Sequence, residues 1–286
     1  MNKWISNNME EYCYLNGNIV PIQEAKIPIT DIGLLRGYAI FDSIAAMNGN
    51  IIFFDEHYKR FVRSARIMHL KIPDSKHKIE TNIYKLLLKN HYDSSRIKLV
   101  LTGGKLIGGL EYDVRSAHLI ILVQKGSNPK EKDYRRGVKL ITYEHQRELS
   151  AAKSNDYITA VNIQSLRRQA GAVEILYTFE GKVLEATTSN FFIVKGDRLI
   201  TAKKDVLIGI VRGKVLRLAK KFMDVEERIV KVSELKTADE AFITSTFRKV
   251  LPVVRINNLV IGSGKVGQKT KLLMEQYACL EKNVCS

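Results

Sequence analysis

A chain of 286 residues, 45% hydrophobic and 27% charged, is long enough for one large or two medium domains and can bury a sizeable core. The first residues, "MNKWISNNMEEYCYLNG", hold no apolar signal-peptide core, and nowhere do roughly 18 apolar residues run together, so the expectation is a cytoplasmic protein without a membrane span. The formal charge of +16 allows an anionic partner, but the basic residues are scattered along the chain without the stripe or aromatic interleaving of a phosphate-backbone groove, and no nucleic acid is expected.

The first part alternates strands and helices. "CYLNGNIV" is a short hairpin turning at Asn16-Gly17, and "YAIFDSIAAMNGNIIFF" a second one turning at "NGN". "DEHYKRFVRSARIMHL" carries apolar residues at helical spacing behind an acidic start. "IETNIYKLLLKNH" is another amphipathic helix, and "RIKLVLTGG" and "AHLIILV" are strands. Residues 1–123 thus read as a small α+β domain. "QKGSNPKEKDYRRG" is polar and contains Gly and Pro, which places an interdomain linker at 124–136.

The larger domain, 137–286, opens with the strand "VKLITYEH". A helix from about Ile158 to Gln169 comes next, then a hairpin region "AVEILYTFEGKVLEATTSNFFIVKGDRLITA" with turns at "EGK" and "KGD". The helix "RGKVLRLAKKFM", the strand "VEERIVKV", the helical "SELKTADE", the strand "AFITSTF" and a C-terminal helix near "KTKLLMEQYACLEK" complete an α+β, mixed α/β, two-domain chain. Cys13, Cys279 and Cys285 are odd in number and lack ligand spacing, so they read as reduced thiols, and no metal site is expected.

One lysine stands apart. Most lysines lie in mixed, solvent-seeking runs, whereas Lys153 follows two alanines in "SAAKSNDYITAV" and leads into an apolar, helix-like run. Lysine chemistry of the Schiff-base kind needs a partly desolvated amine, an aldehyde cofactor and a phosphate holder. For a pyridoxal cofactor it also needs a carboxylate toward the ring nitrogen. Glu185 ends a strand before a run of hydroxyl residues. "VLIGIVRGKVLRLA" puts the amides of Ile210 and Val211 at a helix start, where phosphate is favoured, and "FITSTFRKVLPV" offers Ser245 and Thr246 after a strand. Each of these also has an ordinary structural reading, as a solvated carboxylate, a loop leading into a helix or a capped turn.

In order and spacing the succession resembles the class IV aminotransferases, the fold type IV group of pyridoxal-phosphate enzymes that includes D-amino acid aminotransferases, branched-chain aminotransferases and aminodeoxychorismate lyases. The resemblance runs from about Tyr14 to Leu280, through "DIGLLRGYAIFD", "EHYKRFVRSA", "AAKSNDY", "LEATTSNFF", "LIGIVR", "TSTFRKVLPV" and "IGSGKVGQKT". It implies that Lys153 is the catalytic lysine that carries the cofactor, pyridoxal 5′-phosphate, and shuttles the Cα proton. Glu185 then lies at the pyridine nitrogen, Tyr157 near the 3-hydroxyl, and Arg60, Ile210, Val211, Ser245 and Thr246 at the phosphate.

The resemblance further implies a homodimer, with active sites near the subunit interface, that moves an amino group between an amino acid and a 2-oxo acid. "LLRGYAIFD" and "TSTFRKVLPV" are nearer to the D-amino acid enzymes, for D-alanine or D-glutamate. A branched-chain L-amino acid aminotransferase and an aminodeoxychorismate lyase remain alternatives, and a basic scaffold that binds nucleic acid is the rival of another class. Arg36 and Arg248 are the candidates to hold the substrate carboxylate. Two departures stand out. Ala186-Thr187-Thr188-Ser189 replaces the Gly or Ser common after the glutamate, and Phe247-Arg248 stands where small residues are frequent.

Overall fold

The computed structural model describes residues 10–126 and 130–285, and the chain divides into two compact units, Met1–Gly126 and Ser127–Ser286. Of the segment 124–136 expected to be a linker, Gln124 and Lys125 finish a strand, Glu131–Arg136 forms a helix, and 127–129 lie outside the described residues.

In the first unit a six-stranded sheet runs in the order β2-β1-β8-β5-β3-β4. Its strands are β1 (Tyr12–Leu15), β2 (Asn18–Pro21), β3 (Ala39–Met47), β4 (Asn50–Ile51), β5 (Ser94–Thr102) and β8 (Leu119–Lys125), while β6 (Leu106–Gly108) and β7 (Glu111–Tyr112) pair separately. Both expected hairpin turns form, with Asn16 and Gly17, and Asn48 and Gly49, at positive φ. The alternating burial of β3 and β5 reflects one face covered by helices and one left half-open. α2 (Phe54–Ile67) buries Phe54, His57, Phe61, Ser64 and Ala65. α3 (Lys76–Asn90), capped by Ser75, buries Ile79, Ile83, Leu86 and Leu87, spacings that keep the buried residues on one stripe. The segment "DIGLLRG" forms the short helix α1 (Ile32–Arg36), with Asp31 as its cap accepting from the Gly33 amide and Gly37 in the left-handed conformation at its end.

The second unit is built on a ten-stranded sheet, β14-β13-β12-β16-β17-β9-β10-β11-β15, with β18 on β17. The strands are β9 (Val138–Glu144), β10 (Glu174–Phe179), β11 (Lys182–Ala186), β12 (Asn190–Lys195), β13 (Arg198–Ala202), β14 (Asp224–Arg228), β15 (Val230–Lys231), β16 (Glu240–Ser245), β17 (Lys249–Ile256) and β18 (Leu259–Val260). The helices are α4 (Glu131–Arg136), α5 (Ile158–Asn162), α6 (Gln164–Gln169), α7 (Ile210–Ala219) and α8 (Gln268–Cys285). The helix expected from Ile158 to Gln169 is therefore two, broken at Ile163. "VEERIVKV" is two strands, because β14 pairs with β13 while β15 turns away to pair with β11. "SELKTADE" gives only a 3-10 helix over Val232–Thr237. Both faces of the central strands are covered. Val138, Leu140, Leu176, Phe191, Ile193 and Ile243 belong to one apolar cluster, and Ile163, Ile175, Tyr177, Leu184 and Val206 to another. This is why β10 and β12 read as continuous apolar runs.

The pairing of β10 with β11 is irregular at one point. Leu176 pairs with Ala186 and Thr178 with Val183, so Leu184 and Glu185 together stand opposite Tyr177. This is a β-bulge, which re-aims a side chain.

The first unit buries a charge cluster of its own. Asp42 on β3 is fully buried; its Oδ1 accepts from His57 Nδ1 (2.7 Å), Arg60 Nη2 (2.7 Å) and the Ser43 amide (2.8 Å), and its Oδ2 accepts from Arg60 Nε (2.8 Å). Burial alone would raise this carboxyl, but Arg60 and His57 beside it hold it well below the usual carboxylate range. A depressed folded value means that the stabilisation is intact above the ordinary aspartate value of 3.8 and is lost as pH falls through the folded one. Asp42→Ala, which strands a buried guanidinium, should destabilise the protein by about 3–5 kcal/mol at pH 7. The difference from wild type should narrow below about pH 4. Urea unfolding at neutral and acid pH measures both.

Candidate active site

The bulge in β11 delivers Glu185 to the side of Tyr177. The residue is 6% exposed; Oε2 accepts from the Leu207 amide (3.0 Å) and from Asn190 Nδ2 (3.3 Å), while Oε1 is buried with no hydrogen-bond partner. An opposite charge close to that oxygen is Arg147, whose Nε lies 3.6 Å from it. Burial pushes the Glu185 carboxyl up from its ordinary value, while Arg147, the Leu207 amide and Lys153 pull it back down and Glu174 adds to the rise. Lys153 is half-buried, within electrostatic reach of Glu185.

Lys153 leaves a loop closed by the same arginine. Arg147 Nη2 donates to Ser150 O and Ala152 O, both at 3.0 Å, and lies 3.4 Å from Leu149 O. Tyr157 caps the start of α5 and, with His145, Arg147, Asp156, Tyr177 and Thr187, lines a cleft. Burial pushes the Tyr177 phenol up to about 12, so it is protonated at neutral pH.

Asn190 connects this carboxylate to the start of α7. Its Nδ2 donates to Leu207 O at 2.7 Å as well as to Glu185, and it pairs with Thr244 on β16. Gly209 is the N-cap of α7, without any side-chain cap, so the amides of Ile210 and Val211 find no acceptor inside the helix. A Cβ on Gly209 would come within 2.1 Å of Asn190 Oδ1, so only glycine allows this close approach. Ser245 ends β16, and its Oγ accepts from the Arg248 amide at 3.3 Å, with Thr246 beside it in the turn.

The Thr187-Thr188-Ser189 run surrounds a second buried carboxylate. Glu174 accepts from Thr187 Oγ1 (3.1 Å), the Thr188 amide, Thr188 Oγ1 (2.9 Å) and Ser189 Oγ (2.8 Å). Arg248 joins them: its Nη1 donates to Thr188 Oγ1 (3.0 Å) and lies 3.3 Å from Glu174 Oε2. Sequence reasoning missed Glu174, Arg147 and the part played by Asn190. Only Glu174 left a signal, an acid opening an apolar strand. In the first unit, Arg60 is anchored on Asp42, and Arg36 is exposed, its Nη1 donating to Leu35 O at 2.9 Å.

An amino-transferase class IV family model matches residues 39–256. The chain belongs to the class IV aminotransferases. This aminotransferase is 33% identical over 275 residues to a putative branched-chain-amino-acid aminotransferase of Methanocaldococcus jannaschii, covering 92% of this chain and 94% of that protein. It is 31% identical over 260 residues to a D-alanine aminotransferase of Bacillus licheniformis, covering 90% and 92%. Among solved structures, the T.th. branched-chain amino acid aminotransferase complexed with N-(5′-phosphopyridoxyl)-L-glutamate superposes with a TM-score of 0.85 at 27% identity, over 96% of this chain and 95% of that one. The Escherichia coli branched-chain enzyme shares the fold, with a TM-score of 0.88 at 23% identity over 95% of each chain.

The cofactor of class IV aminotransferases is pyridoxal 5′-phosphate. The residues of this aminotransferase fit it. The unpartnered Oε1 of Glu185 is an acceptor waiting for an N–H, the uncapped start of α7 offers amides to a phosphate, and a half-buried lysine stands near the carboxylate.

The crowding at Gly209 can be tested. Gly209→Ala should force Asn190 off Leu207 and Glu185 and weaken pyridoxal-phosphate binding roughly tenfold or more, the loss of about one charge-assisted hydrogen bond. At Gly213, further along the same helix, an added Cβ meets nothing within 4 Å, and Gly213→Ala should stabilise by about 0.4–1 kcal/mol without changing affinity. Cofactor titration and thermal melts of the two variants separate these outcomes.

Proposed function

We propose that this aminotransferase acts on small or acidic D-amino acids, alanine and glutamate foremost, with a 2-oxo acid such as pyruvate or 2-oxoglutarate as acceptor. The observation that carries this reading is the lining of the cleft that Arg147 and Tyr157 share. Polar groups of His145, Arg147, Asp156, Thr159 and Thr187 line it together with the rings of Tyr157 and Tyr177, and Ala160 is its one aliphatic side chain. A branched aliphatic substrate gains its affinity from apolar wall, at ~25 cal/mol per Å² buried, and aliphatic wall is confined to Ala160 in this cleft. The likeness to the D-alanine aminotransferase of Bacillus licheniformis supports the same reading. The likeness to the Methanocaldococcus jannaschii relative favours branched-chain L-amino acids as the second reading.

Bound pyridoxal phosphate supplies an aldehyde that receives the amino group and a ring that delocalises the Cα carbanion. In our reading Lys153 carries the cofactor and its Nζ then takes the proton from the substrate Cα and returns it on the other side of the reaction. Glu185 holds the N–H of the ring, and Tyr157 orients the ring from the cleft wall. Ile210 and Val211, with Ser245 and Thr246, donate to the phosphate, and Arg60 adds its charge there. With Arg248 engaged by Glu174 and Thr188, Arg36 is the arginine assigned to the substrate carboxylate. Ile29, Leu34, Leu35, Ile107 and Leu110 are exposed large apolar side chains on two segments joined by the Asp31–Lys105 bridge, and they support a homodimer. Among the described residues no helix is long and apolar enough to cross a membrane, and we assign the enzyme to the cytoplasm.

A matched panel of D- and L-amino acids against pyruvate and 2-oxoglutarate tests the proposal. D-alanine and D-glutamate should exceed L-leucine and L-valine by at least tenfold in kcat/KM. A reversed order would establish the branched-chain reading, and pyruvate released from aminodeoxychorismate over many turnovers without an acceptor would point to the lyase. Borohydride reduction of the holoenzyme followed by peptide mapping should place the cofactor on Lys153.

A further inference from the structure

Arg147 touches both halves of the site. It follows β9 in a segment with no periodicity of its own, yet its guanidinium is largely buried, with the side chain 13% exposed, against a Glu185 side chain that is 8% exposed. One edge, Nη2, closes the loop whose next residue is Lys153, through Ser150 O and Ala152 O. Another atom, Nε, faces Glu185 Oε1, the oxygen that no hydrogen bond reaches. The same group lines the cleft with Asp156, Tyr157 and Thr187. A planar, permanently charged guanidinium can satisfy carbonyls and a carboxylate in one fixed geometry, and a lysine ammonium cannot.

We propose that Arg147 is a positioning residue that locks the loop presenting Lys153 and, with the same guanidinium, holds a positive charge against the Glu185 carboxylate. The proposal rests on the roles read above for Lys153 and Glu185, and not on which amino acid is the substrate. The electrostatics agree with the geometry. The charged groups facing Glu185 are Arg147, Lys153 and Glu174, with the phenols of Tyr177 and Tyr157 close by. Of these, Arg147 opposes the effect of burial most strongly, ahead of Lys153, while Glu174 works against it. Without the guanidinium, Glu185 would take up a proton at higher pH than it does now.

The test uses the full-length holoenzyme and the variants Arg147→Met and Arg147→Lys, each also made in a Glu185→Gln background. Three quantities are measured: affinity for pyridoxal phosphate, the pH titration of the bound cofactor's visible band, and hydrogen exchange of the amides from 149 to 153. Arg147→Met should bind the cofactor roughly tenfold or more weakly, the scale of one charge-assisted bond. Its band should change at higher pH on acidification, and its loop amides should exchange about tenfold faster. Arg147→Lys, which keeps the charge and loses the fork, should restore the titration and leave the loop exchanging fast. In the Glu185→Gln background, Arg147→Met should no longer move the titration.

An unchanged titration and unchanged loop exchange in Arg147→Met would overturn the proposal, as would an equal shift of the titration in both backgrounds. Should Arg147→Met fail to fold, Arg147→Lys decides: wild-type loop exchange there would overturn the loop clamp. An enzyme inactive toward the whole amino-acid panel would leave these measurements intact, because they require bound cofactor and no turnover.

Discussion

Glu185 is a carboxylate in a place where burial opposes its charge, and several groups of the second unit are arranged to offset that burial. Taking a carboxylate out of water carries a penalty of several kcal/mol unless partners replace the lost hydration. The replacements come from three separated stretches of chain: the Leu207 amide, the Asn190 side chain and the Arg147 guanidinium. Each partner has a second task. Leu207 precedes the start of α7, Asn190 pairs into the sheet at Thr244, and Arg147 closes the loop before Lys153. The partners of one buried carboxylate therefore link it to the loop before Lys153 and to the residues that precede α7.

Two of the unit's buried carboxylates, Glu174 and Glu185, differ in how they are satisfied. Glu174 is met by the hydroxyls of Thr187, Thr188 and Ser189, by the Thr188 amide and by Arg248, so both of its oxygens are engaged. It staples the turn from β11 to β12, the turn that joins Glu185 to Asn190. Glu185 keeps one oxygen without a hydrogen bond. Buried polar atoms are almost always satisfied, and one that is not marks either strain or a place held for something else. The satisfied carboxylate is architecture, and the half-satisfied one is where chemistry can attach. The same distinction explains why Arg248, which stands in a sequence position suited to a substrate, is already committed to Glu174 and Thr188.

Legibility in the sequence tracks the range of the physics involved. The hairpin turns at Asn16-Gly17 and Asn48-Gly49, the stripes of α2 and α3 and the apolar runs of β10 and β12 are local patterns and are visible in the chain. Lys153 and Glu185 stand out because their neighbours in sequence resemble a family motif, and the structure sets the two within electrostatic reach of each other. The bulge that aims Glu185 does not stand out, since it exists only in the register of β11 against β10, and register is decided across strands. Arg147 was equally hidden, because nothing around it in "EHQREL" separates a surface arginine from one whose partner lies on another strand. The single strand expected at "VEERIVKV" was divided for a similar reason: the two halves pair with β13 and with β11, and no local propensity encodes that change of partner.

The start of α7 shows how such non-local contacts become precision at the site. Within its first turn, Arg212 is buried at 4% exposure, and its Nη2 donates to Ala202 O (2.9 Å) on β13 and to Glu227 (2.8 Å) on β14. The helix is thus fixed from the sheet side, while Gly209 and Asn190 fix it from the other. Leu207 stands between, with its amide on Glu185 and its carbonyl on Asn190. The carboxylate and the helix start are thus tied through the same two residues, Leu207 and Asn190. An enzyme that must hold a ring nitrogen and a phosphate on one rigid cofactor needs that coupling, since the two ends of the ligand cannot move independently and their receptors on the protein should not either.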